Sequence, residues 1–364
     1  MAISFIHTGD IHLEKTFHFK NQQRDFGKEH RIDLWLTFDQ IINTAEKNHV
    51  DFLIISGDLF DTPDISSKAL KRVAEKFAHL TETEVVICPG NHDFYTPSAL
   101  YGLIEWPNNV TIFTQGQMES KYFEEKETRV FGIGWTKDTY EAMPFDGSHI
   151  DLSETDNNIL VLHGDAYNQI SQYMPIDLEL FDYFDYVALG HIHRSERLTL
   201  RAAYCGCPEP LTFKNINDPG IFYGQIHHHR LELQKIETGK RKFFQKTLRV
   251  SPEMTQNDLL TACSDLGDDD SKRKDFFRIF LKGYAGADID VEELRMQLAQ
   301  MFYYVEVDDK KLLPNIDVDK LLEENQNNMI GRFIQEMRRN GDNPTARKAL
   351  YYGLEGLLNS EDKG

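Results

Sequence analysis

The sequence predicts an α/β fold followed by a smaller β/α unit, and three observations carry that expectation. Short apolar β runs at Ile3–His7, Phe52–Ser56 and Val85–Cys88 are separated by segments long enough for helical crossovers, the pattern of a mostly parallel sheet. Near residue 250 the texture shifts to a compact alternation of helix and strand patterns. With 364 residues and 40% hydrophobic content, the chain can bury one full core and a second small one.

In chain order, Ile3–His7 runs into Thr8-Gly9-Asp10-Ile11-His12, where Asp10 and His12 share a side if the segment is extended. Residues 29–48 read as a helix with an apolar stripe of Ile32, Trp35, Leu36, Ile41, Ile42 and Ala45. Phe52–Ser56 ends in Gly57-Asp58-Leu59-Phe60-Asp61, and a helix is expected over residues 66–80. Val85–Cys88 is stopped by Pro89-Gly90 just before Asn91-His92-Asp93. Shorter strands follow at Val110–Phe113 and Val130–Gly134, then the buried run Ile159–Leu162, which ends in His163-Gly164-Asp165. After a helix-like stretch at 176–182, Tyr186–Leu189 ends in Gly190-His191-Ile192-His193.

Tyr204–Gly206, Gly220–Ile226 and Arg230–Leu233 read as successive antiparallel strands, with His227-His228-His229 as a strand end or turn. Beyond residue 250, helices at 255–265 and 290–301 alternate with strands Phe276–Leu281 and Tyr303–Val307, and Leu312-Leu313-Pro314 interrupts the pattern. Amphipathic helical stretches at 318–339 and 344–358 flank the turn-prone Asn340-Gly341-Asp342-Asn343-Pro344. The expected division is 1–248, 249–313 and 314–364.

Composition excludes several classes. No apolar run approaches the ~18–20 residues of a membrane span, and Met-Ala-Ile-Ser-Phe lacks a signal peptide's basic start. A soluble, cytoplasmic protein with no membrane partner is expected. Cys88, Cys205, Cys207 and Cys263 are too few and scattered for a disulfide framework. Cys205 and Cys207 should face one way in a strand and serve packing. The net charge of −19, from 59 Asp+Glu against 40 Lys+Arg, opposes non-specific nucleic-acid binding. Basic residues nevertheless gather at 230–249 and at Lys272-Arg273-Lys274 after Asp268-Asp269-Asp270. Such runs either hold a polyanion locally or form a solvated face.

The chemistry lies at the strand ends. Asp10, His12, Asp58, Asn91, His92, His163, His191 and His193 come from five segments, each after an apolar β run and beside small residues. Carboxylate, imidazole and amide together suit a divalent transition metal better than calcium or magnesium, which prefer all-oxygen shells. Their number points to two ions rather than one.

In this order, D-x-H, G-D-x-x-D, G-N-H-D, H-G and G-H-x-H resemble the motifs of the calcineurin-like metallophosphoesterase family over residues 3–195. Within it, the opening I-H-T-G-D-I-H-L, the form G-D-L-F-D-T and a small α/β unit after the catalytic region are most similar to the SbcD-type exonucleases of DNA double-strand-break repair. The resemblance implies a two-sheet β-sandwich flanked by helices, with a small C-terminal α/β capping domain. It assigns a first metal to Asp10, His12, Asp58 and His193, and a second, bridged by Asp58, to Asn91, His163 and His191. Manganese is the expected ion.

By the same resemblance, His92 is not a ligand but stabilises the transition state or protonates the leaving oxygen, with Asp93 as the partner that orients it. Asp61 and Asp165 either hold imidazoles and backbone in position or are turn residues. The implied activity is a DNA exonuclease or endonuclease working with a coiled-coil ATPase subunit, and a homodimer. Met329, Ile330, Phe333, Ile334 and Met337 have the spacing either to dock such a partner or to pack on their own domain. A phosphodiesterase or phosphatase for small or protein-borne phosphoesters, and a non-catalytic protein that binds DNA ends, are the alternatives.

Overall fold

The computed structural model describes residues 2–19, 25–62, 65–145, 150, 152, 155–214, 219–286, 288–339, 341 and 343–361. They form two compact units, Met1–Lys242 and Phe243–Gly364.

The first unit contains β1 (Ile3–Thr8), α1 (Phe26–Lys47), β2 (Phe52–Ile55), α2 (Ser67–Ala78), β3 (Glu84–Ile87), β4 (Val110–Ile112), β5 (Glu119–Phe123), β6 (Thr128–Gly132), β7 (Asn157–His163), β8 (Tyr186–Gly190), β9 (Glu196–Arg197), β10 (Ala202–Tyr204), β11 (Gly220–His227) and β12 (Arg230–Glu237). These build two six-stranded sheets, ordered β12-β11-β1-β2-β3-β4 and β5-β6-β7-β8-β10-β9. Both are mixed: β1 to β4 run parallel, as do β6, β7, β8 and β10, with antiparallel pairs at the edges.

The continuous apolar runs follow from burial on both faces. Along β2, Phe52 and Ile54 join a core shared with the second sheet, while Leu53 and Ile55 face the helices α1 and α2. Along β7, Ile159 and Val161 enter that shared core, while Leu160 and Leu162 pack outward with Trp135, Phe181 and Phe184. The period of two thus sorts one strand's side chains between two cores. This is the expected two-sheet sandwich flanked by helices.

Several local expectations change. The α1 stripe is buried at Trp35, Ile41, Ile42 and Ala45, but Ile32 and Leu36 are exposed. The 176–182 stretch is only a 3-10 turn at Leu178–Phe181, whose first turn Asp177 caps. β10 is parallel to β8 in the second sheet, whereas β11 and β12 form a hairpin in the first. That hairpin turns at His228 and His229, both at positive φ, as a two-residue turn demands. Cys205 and Cys207 pack into different cores because Gly206, at φ +72, breaks the alternation.

The second unit holds β13 (Phe243–Val250), α3 (Gln256–Ser264), α4 (Asp269–Lys274), β14 (Phe276–Ala285), α5 (Val291–Met301), β15 (Tyr304–Pro314), α6 (Val318–Glu324), α7 (Met329–Arg339) and α8 (Pro344–Glu361). Its three strands are parallel, over a core of Leu259, Phe277, Ile279, Leu281, Leu294 and Leu298. The break between units precedes the expected 248/249 because Phe243–Val250 is a full strand of this sheet. Leu312 and Leu313 continue β15, and Pro314 ends it, where a missing N–H costs little.

The stretch 318–339 divides at Asn325 and Asn328, which bond the Leu321 carbonyl and the Gly331 amide respectively. Asp268 caps α4, whose acidic first turn and basic last turn complement the helix dipole. Ile330 and Ile334 are buried with Leu354, while Met329 stays exposed, so most of that stripe packs on its own unit. Of the expected turn after α7, Asn340 and Asp342 lie outside the described residues. No described helix is long and apolar enough to cross a membrane.

Candidate metal centre

The carboxyl ends of β1, β2, β3, β7 and β8 converge, three from one sheet and two from the other. Asp10, His12, Asp58 and His193 offer ligand atoms that all lie within 4.8 Å of one another. His12 Nε2 is 3.3 Å from His193 Nε2 and 3.6 Å from Asp58 Oδ2, and His193 Nε2 is 3.7 Å from Asp10 Oδ1. On the far side of Asp58, His163 Nε2 lies 3.4 Å from its Oδ2 and 3.0 Å from Asn91 Oδ1. The His191 ring stands edge-on to His163, with centroids 5.3 Å apart. Asp58 therefore sits between two groups of donors.

The backbone is bent to present these groups. Asp10, His12, Asp58 and His191 have φ of 48, 51, 50 and 98°, so the Asp10–His12 segment is not extended as its spacing suggested. Non-glycine residues in this region cost ~1–3 kcal/mol each and persist where surrounding bonds hold them. Here Asp10 N–H bonds Gly57 O at 3.0 Å, His12 N–H bonds Asp58 O at 2.9 Å, and His191 N–H bonds both Asp10 oxygens at 3.1 Å. A Cβ on Gly90 would lie 2.3 Å from Asp58 Oδ1 and 2.8 Å from His163 Cε1. Glycine is what lets that loop close on Asp58 and His163.

The electrostatics call for a cation. Asp10 and Asp58 are fully buried, and among the described residues no lysine or arginine pairs with either; only imidazoles do. Burial, abetted by the Asp58 charge, pushes the Asp10 carboxyl up to about 6. Asp58, which burial alone would raise, is held well below the usual carboxylate range by His163 and then His12. Burial would lower the His163 imidazole too, but the Asp58 charge overrides it and raises His163 to about 9. Burial brings His191 down to about 4 and His193 to about 3, each helped by a neighbouring histidine. Buried carboxylates that no lysine or arginine neutralises, set among imidazoles, are a metal-ready donor set. Asp10, His12, Asp58 and His193 fit a divalent ion.

A scan against family models matches the calcineurin-like phosphoesterase family over residues 3–195. The chain belongs to that family. It is 28% identical over 237 residues to the uncharacterized metallophosphoesterase YhaO of Bacillus subtilis, covering 60% of this chain and 56% of that one. It is 26% identical over 260 residues to the DNA double-strand break repair protein Mre11 of Aeropyrum pernix, covering 65% and 61%. It is 24% identical over 252 residues to a component of the SbcCD nuclease of Escherichia coli, covering 57% and 61%. The match thus spans little more than half the length of these relatives.

Around the cluster, the acidic residues separate by role. Asp61 Oδ1 meets His12 Nδ1 at 3.0 Å and accepts from Lys15 Nζ at 2.6 Å, the carboxylate–histidine pairing that orients a ligating ring. Asp165 accepts the N–H of Tyr167 and Asn168 and is a turn residue. The exposed His92 ring lies 4.8 Å from the His12 ring, and its Nδ1 meets the Asp61 carbonyl at 3.0 Å. Asp93 does not meet that ring. Its buried carboxylate accepts the N–H of Asp58, Leu59, Phe60 and Gly90 and the Tyr101 hydroxyl.

Sequence reasoning passes over Lys15 on Asp61, Tyr101 on Asp93, and Tyr173, whose ring lies 4.8 Å from that of His191. It also misses the Ser56 carbonyl, which meets His163 Nδ1 at 2.8 Å. Only Lys15, three residues from His12, carries a local signal. The basic run at 230–249 is partly engaged inside the fold, since Arg241 pairs with Asp33 at 2.6 Å.

Proposed function

We propose that this phosphoesterase is a metal-dependent DNA nuclease of the repair type, hydrolysing phosphodiester bonds at the strand-end cluster. Asp10, His12, Asp58 and His193 hold one divalent ion, and Asp58, Asn91, His163 and His191 hold the second; manganese is the ion proposed. Two such ions would supply Lewis acidity toward a phosphoryl oxygen and would acidify an attacking water. Asp10 and Asp58 contribute two negative charges against four positive ones, so the centre attracts a phosphodiester despite the chain's −19.

The observation that carries the reading is His92. Its ring is exposed beside the His12 ligand, and Nδ1 is tied to the Asp61 carbonyl. With Nδ1 engaged, Nε2 is the nitrogen left to carry a proton to the departing oxygen. Asp61 orients His12, and Asp93 holds the two loops that carry Asp58 and Asn91.

DNA as substrate draws support from the relatives named for break repair and for nuclease activity. A coiled-coil ATPase partner and a homodimer belong to the same proposal. A second reading, a phosphoesterase for small or protein-borne substrates, uses the same centre and is favoured by the overall acidity of the chain. The test is manganese-dependent degradation of end-labelled single- and double-stranded DNA by wild type and His92→Ala, with metal content measured in parallel. Wild type cuts and His92→Ala is slower by about 10²–10⁴-fold at equal metal content. Turnover of an aryl phosphodiester without any DNA cleavage would favour the second reading.

A further inference from the structure

The loop that follows His163 presents an aromatic ring to solvent beside the ligand cluster. Tyr167 is 50% exposed, and Ile170 on the same loop 93%. The ring is not loose. It stacks on Tyr204 with centroids 5.8 Å apart and planes inclined by 18°. Tyr204 is buried, donates to Gly164 O and accepts from Ala166 N–H, both at 2.7 Å.

The Tyr167 hydroxyl donates to Glu196 at 2.7 Å and accepts from Arg194 at 3.1 Å, and Arg194 and Glu196 pair with each other. The loop's backbone is pinned by Asp165 at both Tyr167 and Asn168, and the Gln169 amide bonds the Ile176 carbonyl. Both anchors begin at ligands: Gly164 follows His163 and Arg194 follows His193.

The metal chemistry makes no use of this assembly. A pre-ordered ring, half exposed, seated on Tyr204 and with the Arg194 guanidinium carbon 5.8 Å over its centroid, suits an unstacked nucleobase, because stacking tolerates any base and a neighbouring arginine adds to it. We propose that Tyr167, seated on Tyr204 and held by Arg194 and Glu196, is the platform on which a nucleobase next to the scissile phosphate stacks. The site then prefers single-stranded or frayed nucleotide phosphodiesters over bare phosphoesters. This deepens the nuclease reading and rests on it for the position of the scissile bond.

The experiment compares the full chain as wild type, Tyr167→Leu and Tyr167→Trp. Binding of labelled oligothymidylate and of an abasic oligomer of equal length is measured without divalent ions, then cleavage of both with manganese. Turnover of bis(4-nitrophenyl) phosphate serves as the control. Wild type binds the base-bearing oligomer about tenfold more tightly than the abasic one. Tyr167→Leu erases that preference, Tyr167→Trp keeps it, and turnover of the small diester is equal in all three. The platform is overturned if wild type shows no preference for bases, if Tyr167→Leu retains it, or if small-diester turnover falls in step with binding. A preference that depends on Tyr167 without DNA cleavage leaves the platform standing and removes the nuclease reading. DNA cleavage indifferent to Tyr167 does the reverse.

Discussion

Asp93 clamps the loop of Asp58: one carboxylate oxygen accepts the Asp58 N–H at 3.1 Å and the other the Leu59 N–H at 2.8 Å. The first oxygen also takes the Gly90 N–H at 2.7 Å, and the second takes the Phe60 N–H and the Tyr101 hydroxyl. A buried carboxylate, held up by burial and by the Asp58 charge, thus joins the loop after β2 to the loop after β3.

Asp93→Asn keeps the shape but offers only one acceptor oxygen. Whichever way the amide turns, at least two buried donors lose their partner, at ~1–3 kcal/mol each. We expect a stability loss of about 2–5 kcal/mol in urea denaturation, together with reduced metal content. An Asp93→Asn protein as stable as wild type would show that the clamp is dispensable.

Gly90 sets the closeness of the same two loops. In Gly90→Ala the added methyl meets Asp58 Oδ1 and His163 Cε1 far inside contact distance, so the ligands must part. Metal content should fall while the far-ultraviolet dichroism stays native, with a stability cost of ~1–3 kcal/mol from overpacking. Gly356→Ala is the control. It lies exposed in α8 with nothing within 4 Å of the new methyl, and should leave metal content unchanged and raise stability by up to about 1 kcal/mol.

The strand-end cluster is readable from the chain because each of its residues follows an apolar run that has to be a buried strand, and the carboxyl ends of such strands are where loops can meet. What is not readable depends on partners distant in sequence. Nothing near Asp93 announces Tyr101 or the amides of residues 58–60, so its carboxylate reads as a partner of the adjacent imidazole. The Asp10–His12 pair reads as extended, yet both residues are left-handed, because the Gly57 and Asp58 carbonyls hold their amides. Cys205 and Cys207 fall on one face of a strand pattern, since Gly206's positive φ is invisible to a period of two. The break at Asn325–Asn328 escapes the pattern because apolar spacing continues across it while asparagine side chains cap the helix ends.

His7 links stability to pH. Its fully buried ring meets Tyr186 Oη at 2.7 Å and Ser56 Oγ at 2.9 Å, and burial lowers it from 6.5 to about 3. The unfolded chain therefore binds a proton below pH 6.5 that the folded chain refuses until about pH 3. Stability is fully present above 6.5 and falls as pH drops through this window, by up to roughly 4–5 kcal/mol at its lower end. His7→Gln should be less stable than wild type at about pH 7.5 but lose less between roughly pH 6.5 and 4. Parallel pH–stability curves for the two proteins would remove His7 as the cause.

Asp61 and Asp165 occupy equivalent sequence settings, each a carboxylate within three residues of a proposed ligand, and the structure gives them opposite tasks. Asp61 holds His12 Nδ1 and thereby turns His12 Nε2 toward Asp58 and His193. Burial would raise its carboxyl, but the bonds from His12 and Lys15 keep it below the usual range, so it is a charged partner for the ring. Asp61→Asn substitutes a neutral amide, weakens the hold on the tautomer and ring angle, and should reduce metal affinity by about 10–100-fold. Asp165→Asn preserves an oxygen for the same two amides and should leave affinity within about twofold of wild type. Metal titration of both variants against wild type reads the difference directly. Equal losses in the two would mean that a negative charge near the cluster matters and the orientation of His12 does not.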